Sequence, residues 1–375
     1  MELFCLKPAV HYFDNFSQFA RDFSLSDKDL ILTESIIYKS YIECEKVPCT
    51  IIFKDSYDPG EPKEEVIDKI LEDIENIQIS RIIAIGGGSV IDIAKLLCVE
   101  NPRPIKDVIE KKRPIVKDKE LIVLPTTCGT GSEVTFGGIV TMKDTGLKTG
   151  IMDPILSSNY AVLIPDLLKS LPKKILMHCS VDALGHSMEA YVSATRSNDI
   201  VRAVGGRAVE MILDGYTQIA SCGDEIIPEL MKQFIVASCM GGMAVNNGGA
   251  GPVHALAYPL GEKYHMSHGE SIYQFLTKVF MHYERSGGGK VLDELGMHIK
   301  PALEKAGIKY DSVYDGLESL FNMVYPSRRL HEAGMSETDI EPFTDSIFAS
   351  KQRLLSASYR LFTKDDAIRI YRERL

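Results

Sequence analysis

Asp182 and His186 stand four residues apart in Ser180-Val181-Asp182-Ala183-Leu184-Gly185-His186, which reads as the start of a helix with Ser180 as its N-cap. At that spacing a carboxylate and an imidazole share one helix face and can bind the same cation. His254 and His268 follow, in Gly251-Pro252-Val253-His254 and in Tyr264-His265-Met266-Ser267-His268-Gly269. Pro252 suits the first turn of a helix, and the Pro259/Gly261 break between the two histidines lets them converge. One carboxylate with three imidazoles is a hard-to-borderline donor set. It suits Fe²⁺ or Zn²⁺ and leaves a coordination position open for a substrate oxygen. Taken singly, each residue has a plainer explanation. A histidine on an apolar face is commonly a satisfied core residue, and Asp182 can simply face the positive end of a helix dipole. The set of four points to a metal.

A second constellation lies upstream. Arg81-Ile-Ile-Ala-Ile85 reads as a buried strand that runs into Gly86-Gly87-Gly88-Ser89 and then a helix from Val90 through Asp92 to Lys95. Three glycines allow close backbone approach to a ligand and unusual φ values. Ser89 with Asp92 resembles a capping box, and the helix N-terminus offers free N–H groups to a pyrophosphate. This is neither Gly-x-Gly-x-x-Gly nor a Walker A loop; a tight turn without a ligand would look the same. A second strand, Leu121–Pro125, leads into Thr126-Thr127-Cys128-Gly129-Thr130-Gly131-Ser132-Glu133, also dense in hydroxyls and glycines. In open α/β sheets, ligands bind beyond the carboxyl ends of strands, so two such loops favour a phosphate-bearing ligand. Glu34, after the strand Asp29–Thr33, can bond a ribose 2′-hydroxyl and repel a 2′-phosphate, or be a solvated loop carboxylate.

These residues need elements to hold them. Up to about residue 165, short β-rich runs (Asp29–Thr33, Cys49–Phe53, Arg81–Ile85, Leu121–Pro125, Ala161–Ile164) alternate with helical stretches such as Lys63–Glu75. That alternation predicts a parallel sheet covered on both faces. From about residue 172 the β signal disappears. Long amphipathic patterns at Ile200–Ile219, Ile227–Val245 and Glu337–Leu354 then predict an all-helical domain. The expected division is 1–171, an α/β dinucleotide-binding domain, and 172–375, a helical metal-binding and substrate domain. A chain of 375 residues with 45% hydrophobic and 25% charged residues is ordinary for a soluble protein with a large core. A net charge of −10 argues against a nucleic-acid binder and against an anionic membrane surface. The N-terminus lacks the apolar core of a signal peptide. Eight scattered cysteines without a Cys-x-x-Cys pair read as reduced cytoplasmic thiols.

Taken in order and spacing, Gly86–Ser89 with Asp92 and Lys95, Thr126–Glu133, Asp182-x3-His186 and His254-x13-His268-Gly269 resemble the iron-containing alcohol dehydrogenases over essentially the whole chain. The resemblance implies a dehydroquinate synthase-like architecture and an NAD-linked, metal-dependent alcohol dehydrogenase that works as a homo-oligomer on a small molecule. It implies metal ligation by Asp182, His186, His254 and His268. It also implies an NAD site lined by Glu34, Gly87, Gly88, Ser89, Thr126, Thr127, Thr130 and Lys148. The segments Pro125–Thr135, Val253–Gly261 and Gln352–Leu355 are most similar to members that interconvert 4-hydroxybutyrate and succinate semialdehyde. Many members carry a second histidine four residues after the third ligand, as a proton relay. Here that position is Tyr258, and His265 is the candidate to replace it or else a surface histidine. A γ-hydroxy acid also needs a cation for its carboxylate; Lys263, between the ligand histidines, is a candidate for it or else a solvated lysine. Rival readings are a diol or simple alcohol substrate, a dehydroquinate synthase-like lyase, and a non-catalytic nucleotide or metal binder.

Overall fold

The computed structural model describes residues 3–375. Two compact units emerge. One runs from Leu6 to Thr127 and from Gly131 to Ser170. It contains β1 (Ala9–Tyr12), β2 (Asp29–Thr33), β3 (Thr50–Phe53), β4 (Arg81–Gly86), β5 (Glu120–Pro125), β6 (Gly137–Thr141), β7 (Lys148–Met152) and β8 (Tyr160–Leu163). Six strands make one sheet in the order β1-β8-β5-β4-β2-β3, and every pairing is parallel. β2, β4 and β5 are continuous runs of Ile, Leu, Val and Ala that are almost completely buried, as strands covered on both faces must be. The helices Glu64–Asp73 and Gly88–Leu97 supply part of that cover through Val66, Ile67, Ile70, Ile91 and Ile93.

The strand order places the chemistry. From β2 the chain moves one way to β3, and from β4 it moves the other way to β5. The reversal opens a crevice at the carboxyl ends of β2 and β4, where α/β sheets bind ligands. Glu34 follows β2 and the glycine triplet follows β4. β5 lies beside β4 with Gly86 opposite Pro125, so the two glycine- and hydroxyl-rich loops leave the sheet side by side. Two features escape the periodicity argument. β1 is only four residues long and mostly exposed. β6 and β7 form a separate antiparallel hairpin.

The second unit comprises Leu171–Leu375 with Cys128–Thr130 and the described residues up to Cys5. It is built of helices. Lys173–Val192, Asp199–Cys222 and Ile227–Gly248 pack on one another, followed by Pro252–Tyr264 and His268–Arg285. Lys173–Val192 is buried nearly all round from Leu176 onward, which fits its lack of a polar face. It begins seven residues before Ser180, so Ser180 is not an N-cap. Instead its hydroxyl donates to the Leu176 carbonyl at 2.7 Å and meets the Tyr216 hydroxyl at 2.7 Å. The expected helix Glu337–Leu354 is not continuous either. It breaks into a 3₁₀ turn at Glu337–Asp339, a helix at Ile340–Ser350 and a short turn at Gln352–Leu355, with Lys351 at the last break. Among the described residues no helix is long and apolar enough to cross a membrane.

Candidate metal centre and nucleotide loops

Asp182, His186, His254 and His268 each offer one donor atom, and all four atoms lie within 4.8 Å of one another. Asp182 and His186 come from adjacent turns of the buried helix Lys173–Val192. His254 comes from the first turn of Pro252–Tyr264 and His268 opens the helix His268–Arg285. Gly269 makes the last approach possible, because a Cβ there would stand 2.1 Å from the His178 carbonyl oxygen. Asp182 Oδ1 lies 3.8, 3.6 and 3.4 Å from the Nε2 atoms of His186, His254 and His268. Those separations exceed a normal hydrogen bond. The His254 and His268 separations match the edges of a tetrahedron, since donors about 2.0–2.2 Å from a common cation stand about 3.3–3.6 Å apart, and the His186 separation is slightly longer.

The electrostatics agree. Asp182 Oδ1, His254 Nε2 and His186 Nδ1 are buried polar atoms without a hydrogen-bond partner. Unsatisfied buried groups of this kind are rare and mark a missing ligand or ion. Burial pushes the Asp182 carboxyl up, but the three imidazoles outweigh it and hold it well below the usual carboxylate range. Burial lowers His186 to about 4, so its imidazole is neutral and free to donate a lone pair at neutral pH. His254 goes the other way, to about 9, because the carboxylates of Glu189 and Asp182 override its burial. A cation facing Nε2 would take the place of that extra proton. Three of the four residues are buried, while the His268 side chain is 39% exposed, which leaves the set open on one side.

Sequence reasoning missed Glu189. It lies three residues beyond His186 on the same helix face, and its Oε2 accepts from His254 Nδ1 at 2.5 Å. The same carboxylate accepts from the backbone N–H groups of Gly251 at 2.9 Å and Val253 at 2.7 Å. A buried carboxylate behind a histidine fixes the tautomer and turns Nε2 toward the cation. The signal was the spacing Asp182-x3-His186-x2-Glu189, which puts three acidic or imidazole groups on one stripe.

In the α/β unit the helix begins at Gly88, with Gly87 as N-cap and no side-chain cap. Ser89 is therefore inside the first turn. Asp92 serves the hairpin instead, accepting from the Ile139 N–H at 3.0 Å, so there is no capping box. The triplet does not use left-handed φ values. It uses space: a Cβ on Gly86 would stand 2.5 Å from the Val90 side chain, and one on Gly87 would rest 3.4 Å from Thr127. The Thr126 N–H donates to the Gly86 carbonyl at 3.1 Å and ties the loops together. Thr130 groups with the helical unit. Burial pushes the Glu34 carboxyl up, opposed by the Lys54 ammonium beside it. Lys95 is buried and structural, donating to the Gly137 carbonyl at 2.6 Å. Lys148 forms an ion pair with Glu61 at 2.7 Å.

His265 and Tyr258 flank the ligand set differently. His265 is exposed at the end of Pro252–Tyr264, in left-handed backbone with φ 51°. Tyr258 is half-buried one turn beyond His254, and the Lys351 ammonium sits 4.0 Å from its ring centre. Lys263 is already committed: it pairs with Asp339, which also accepts from the Tyr264 hydroxyl at 2.8 Å.

Comparison with known proteins gives a consistent picture. A family model described as iron-containing alcohol dehydrogenase matches residues 11–165, and one for the C-terminal part of the same family matches residues 176–375. A 4-hydroxybutyrate dehydrogenase of Clostridium kluyveri is 41% identical over 377 residues, spanning 100% of both chains. An NADPH-dependent butanol dehydrogenase of Clostridium saccharobutylicum is 28% identical over 83% of this chain and 80% of its own. Among solved structures, a sulfoacetaldehyde reductase of Bifidobacterium kashiwanohense in complex with NAD⁺ superposes with TM-score 0.82 at 20% identity, over 99% of this chain and 98% of its own. A 1,3-propanediol oxidoreductase gives TM-score 0.80 at 21% identity over the full length of both.

Proposed function

The chain belongs to the iron-containing alcohol dehydrogenase family, and from that premise we propose that it interconverts 4-hydroxybutyrate and succinate semialdehyde with NAD and a divalent metal held by Asp182, His186, His254 and His268. The observation that carries the chemistry is the convergence of four donor atoms within 4.8 Å of one another, with Asp182 Oδ1 and His254 Nε2 buried and without a hydrogen-bond partner. The substrate rests on the 41% identity to the Clostridium kluyveri enzyme.

When bound, the metal supplies Lewis-acid polarisation of the substrate oxygen, and the nicotinamide supplies or accepts hydride. The chain's own residues do the rest. The buried imidazoles exclude water from all but one side of the cation site. Glu189 holds His254 in one tautomer. Gly87 and Gly88, with Ser89 and the hydroxyls of Thr126, Thr127 and Thr130, offer the backbone and side-chain donors a pyrophosphate needs. Lys148 adds a cation, shared with Glu61. Glu34, at the end of β2, supports NAD over NADP by repelling a 2′-phosphate. His265 stands in solvent three residues before His268, which suits a group that passes a proton between the site and water. Tyr258 takes the place one turn after His254 where a relay histidine would stand. The eight cysteines are all free thiols, which supports a cytoplasmic enzyme, and a homo-oligomer is the assembly that the family resemblance implies.

The test is NADH loss with Fe²⁺-loaded protein, prepared anaerobically, on succinate semialdehyde and on butyraldehyde. A strong preference for the semialdehyde is expected. Equal or better use of butyraldehyde would leave the family intact and remove the hydroxy-acid substrate.

A further inference from the structure

A γ-hydroxy acid carries its charge at the far end from its reacting carbon. An enzyme that tells it from a plain alcohol needs a cation at a fixed distance from the metal. Lys263 cannot serve, since Asp339 and Tyr264 already hold that salt-bridged cluster. Lys351 is different. It sits at the break between Ile340–Ser350 and Gln352–Leu355, where the expected continuous helix stops. It is half-buried, and its ammonium lies 4.0 Å from the centre of the Tyr258 ring. Among the described residues that ammonium has no carboxylate partner and no hydrogen bond.

Tyr258 fixes where this cation stands. It is four residues beyond His254 on the same helix, so the two side chains share a face with Cβ atoms about 5–6 Å apart. His254 points Nε2 toward Asp182. The residue that seats the ammonium is thus one helical turn from a metal donor residue, the scale of the short carbon chain between hydroxyl and carboxylate in 4-hydroxybutyrate. An ammonium has three donors. The aromatic face occupies one side of it and anchors a long, flexible side chain without neutralising it. The donors on the other side are left for an anion.

Resting on the substrate reading above, we propose that Lys351, seated on Tyr258, binds the substrate carboxylate and so sets the preference for a γ-hydroxy acid and its semialdehyde over an uncharged alcohol and aldehyde. The position of the relay histidine is then held by a tyrosine because the ring is a seat for this cation. Lys351 is a specificity residue and takes no part in hydride or proton movement.

The test compares wild type, Lys351→Met and Lys351→Arg, all Fe²⁺-loaded, on succinate semialdehyde and butyraldehyde, with metal content and thermal midpoint measured alongside. Lys351→Met is expected to lower kcat/KM for the semialdehyde by about 10- to 100-fold, mainly through KM, and to change butyraldehyde by less than about twofold. Lys351→Arg, which keeps the charge, should recover most of the preference. Should the methionine variant fail to accumulate, Lys351→Gln replaces it. A wild type that prefers the semialdehyde and a Lys351→Met that keeps that preference would overturn the assignment of Lys351 alone. Equal loss on both substrates would overturn it too. A wild type with no preference would overturn the substrate reading and this anchor with it.

Discussion

The two candidate sites are built from opposite materials. The metal centre is made of side chains. Three imidazoles on three helices stand 3.4 to 3.8 Å from Asp182 Oδ1, with His186 and His254 buried and His254 backed by the Glu189 carboxylate. The nucleotide loops are made of backbone and empty space, with glycines where a Cβ would meet Val90 or Thr127. A side-chain site stores its function in electrostatic tension that a cation relieves, so it should fail by losing the cation. A backbone site stores it in clearance, so it should fail by crowding while the protein stays folded and metal-loaded.

The largest effect that distinguishes the two should come from Asp182→Asn. The substitution keeps the shape and removes the charge around which three imidazoles are arranged. Metal content after dialysis should fall to background, and turnover with it, by on the order of a thousandfold or more. NADH binding, followed by its fluorescence, should remain. Retained iron with normal turnover would remove Asp182 from the ligand set.

Glu189→Gln probes the same centre one layer out. The amide keeps one acceptor oxygen for the three N–H groups that share the two carboxylate oxygens, and it cannot hold the His254 proton with a full charge. Metal affinity should weaken about 10- to 100-fold. Competition with a calibrated chelator measures it, and unchanged affinity would make Glu189 a purely structural acceptor.

Gly87→Ala tests the other side of the comparison. Its Cβ would rest 3.4 Å from Thr127, an ordinary contact, so folding should be preserved. The methyl group would stand where a pyrophosphate must come close, and the NADH dissociation constant should rise about tenfold, or about 1.4 kcal/mol. Iron content should not move. A change in metal content with unchanged NADH affinity would mean that clearance at Gly87 does not serve the nucleotide.

The same contrast explains what could be read in the sequence. Donor side chains announce themselves by type and spacing, so Asp182, His186, His254 and His268 were legible before any fold was known. The parallel sheet was legible because buried strands such as Arg81–Gly86 are continuous apolar runs. Supporting parts were not. Ser180 looked like a helix start because Lys173–His178 carries no strong apolar stripe, yet tertiary burial extends the helix through it. Ser89 looked like an N-cap, although sheet pairing at Gly86 brings the N-cap two residues earlier, to Gly87. Lys263 looked available because sequence spacing cannot show Asp339, which lies 76 residues away. Lys351 was invisible for the same reason: a helix break and a ring contact across 93 residues exist only in the folded chain.

The smallest expected effect lies where the two strategies meet. Left-handed backbone is the natural place for glycine, and the α/β unit uses it so at Gly131, with φ 62°. The helical unit places His265 in the same conformation, φ 51°, at the end of the helix that carries His254. A histidine there costs about 1 kcal/mol relative to glycine, and an exposed side chain gives no packing in return. His265→Gly should therefore raise the thermal midpoint by about one degree, corresponding to about 1 kcal/mol. If His265 carries the proton, the same variant should turn over several-fold more slowly with its iron intact, and imidazole added to the buffer should restore part of the rate. A variant both more stable and fully active would show that the strained histidine serves neither fold nor chemistry, and the proton route would have to start elsewhere.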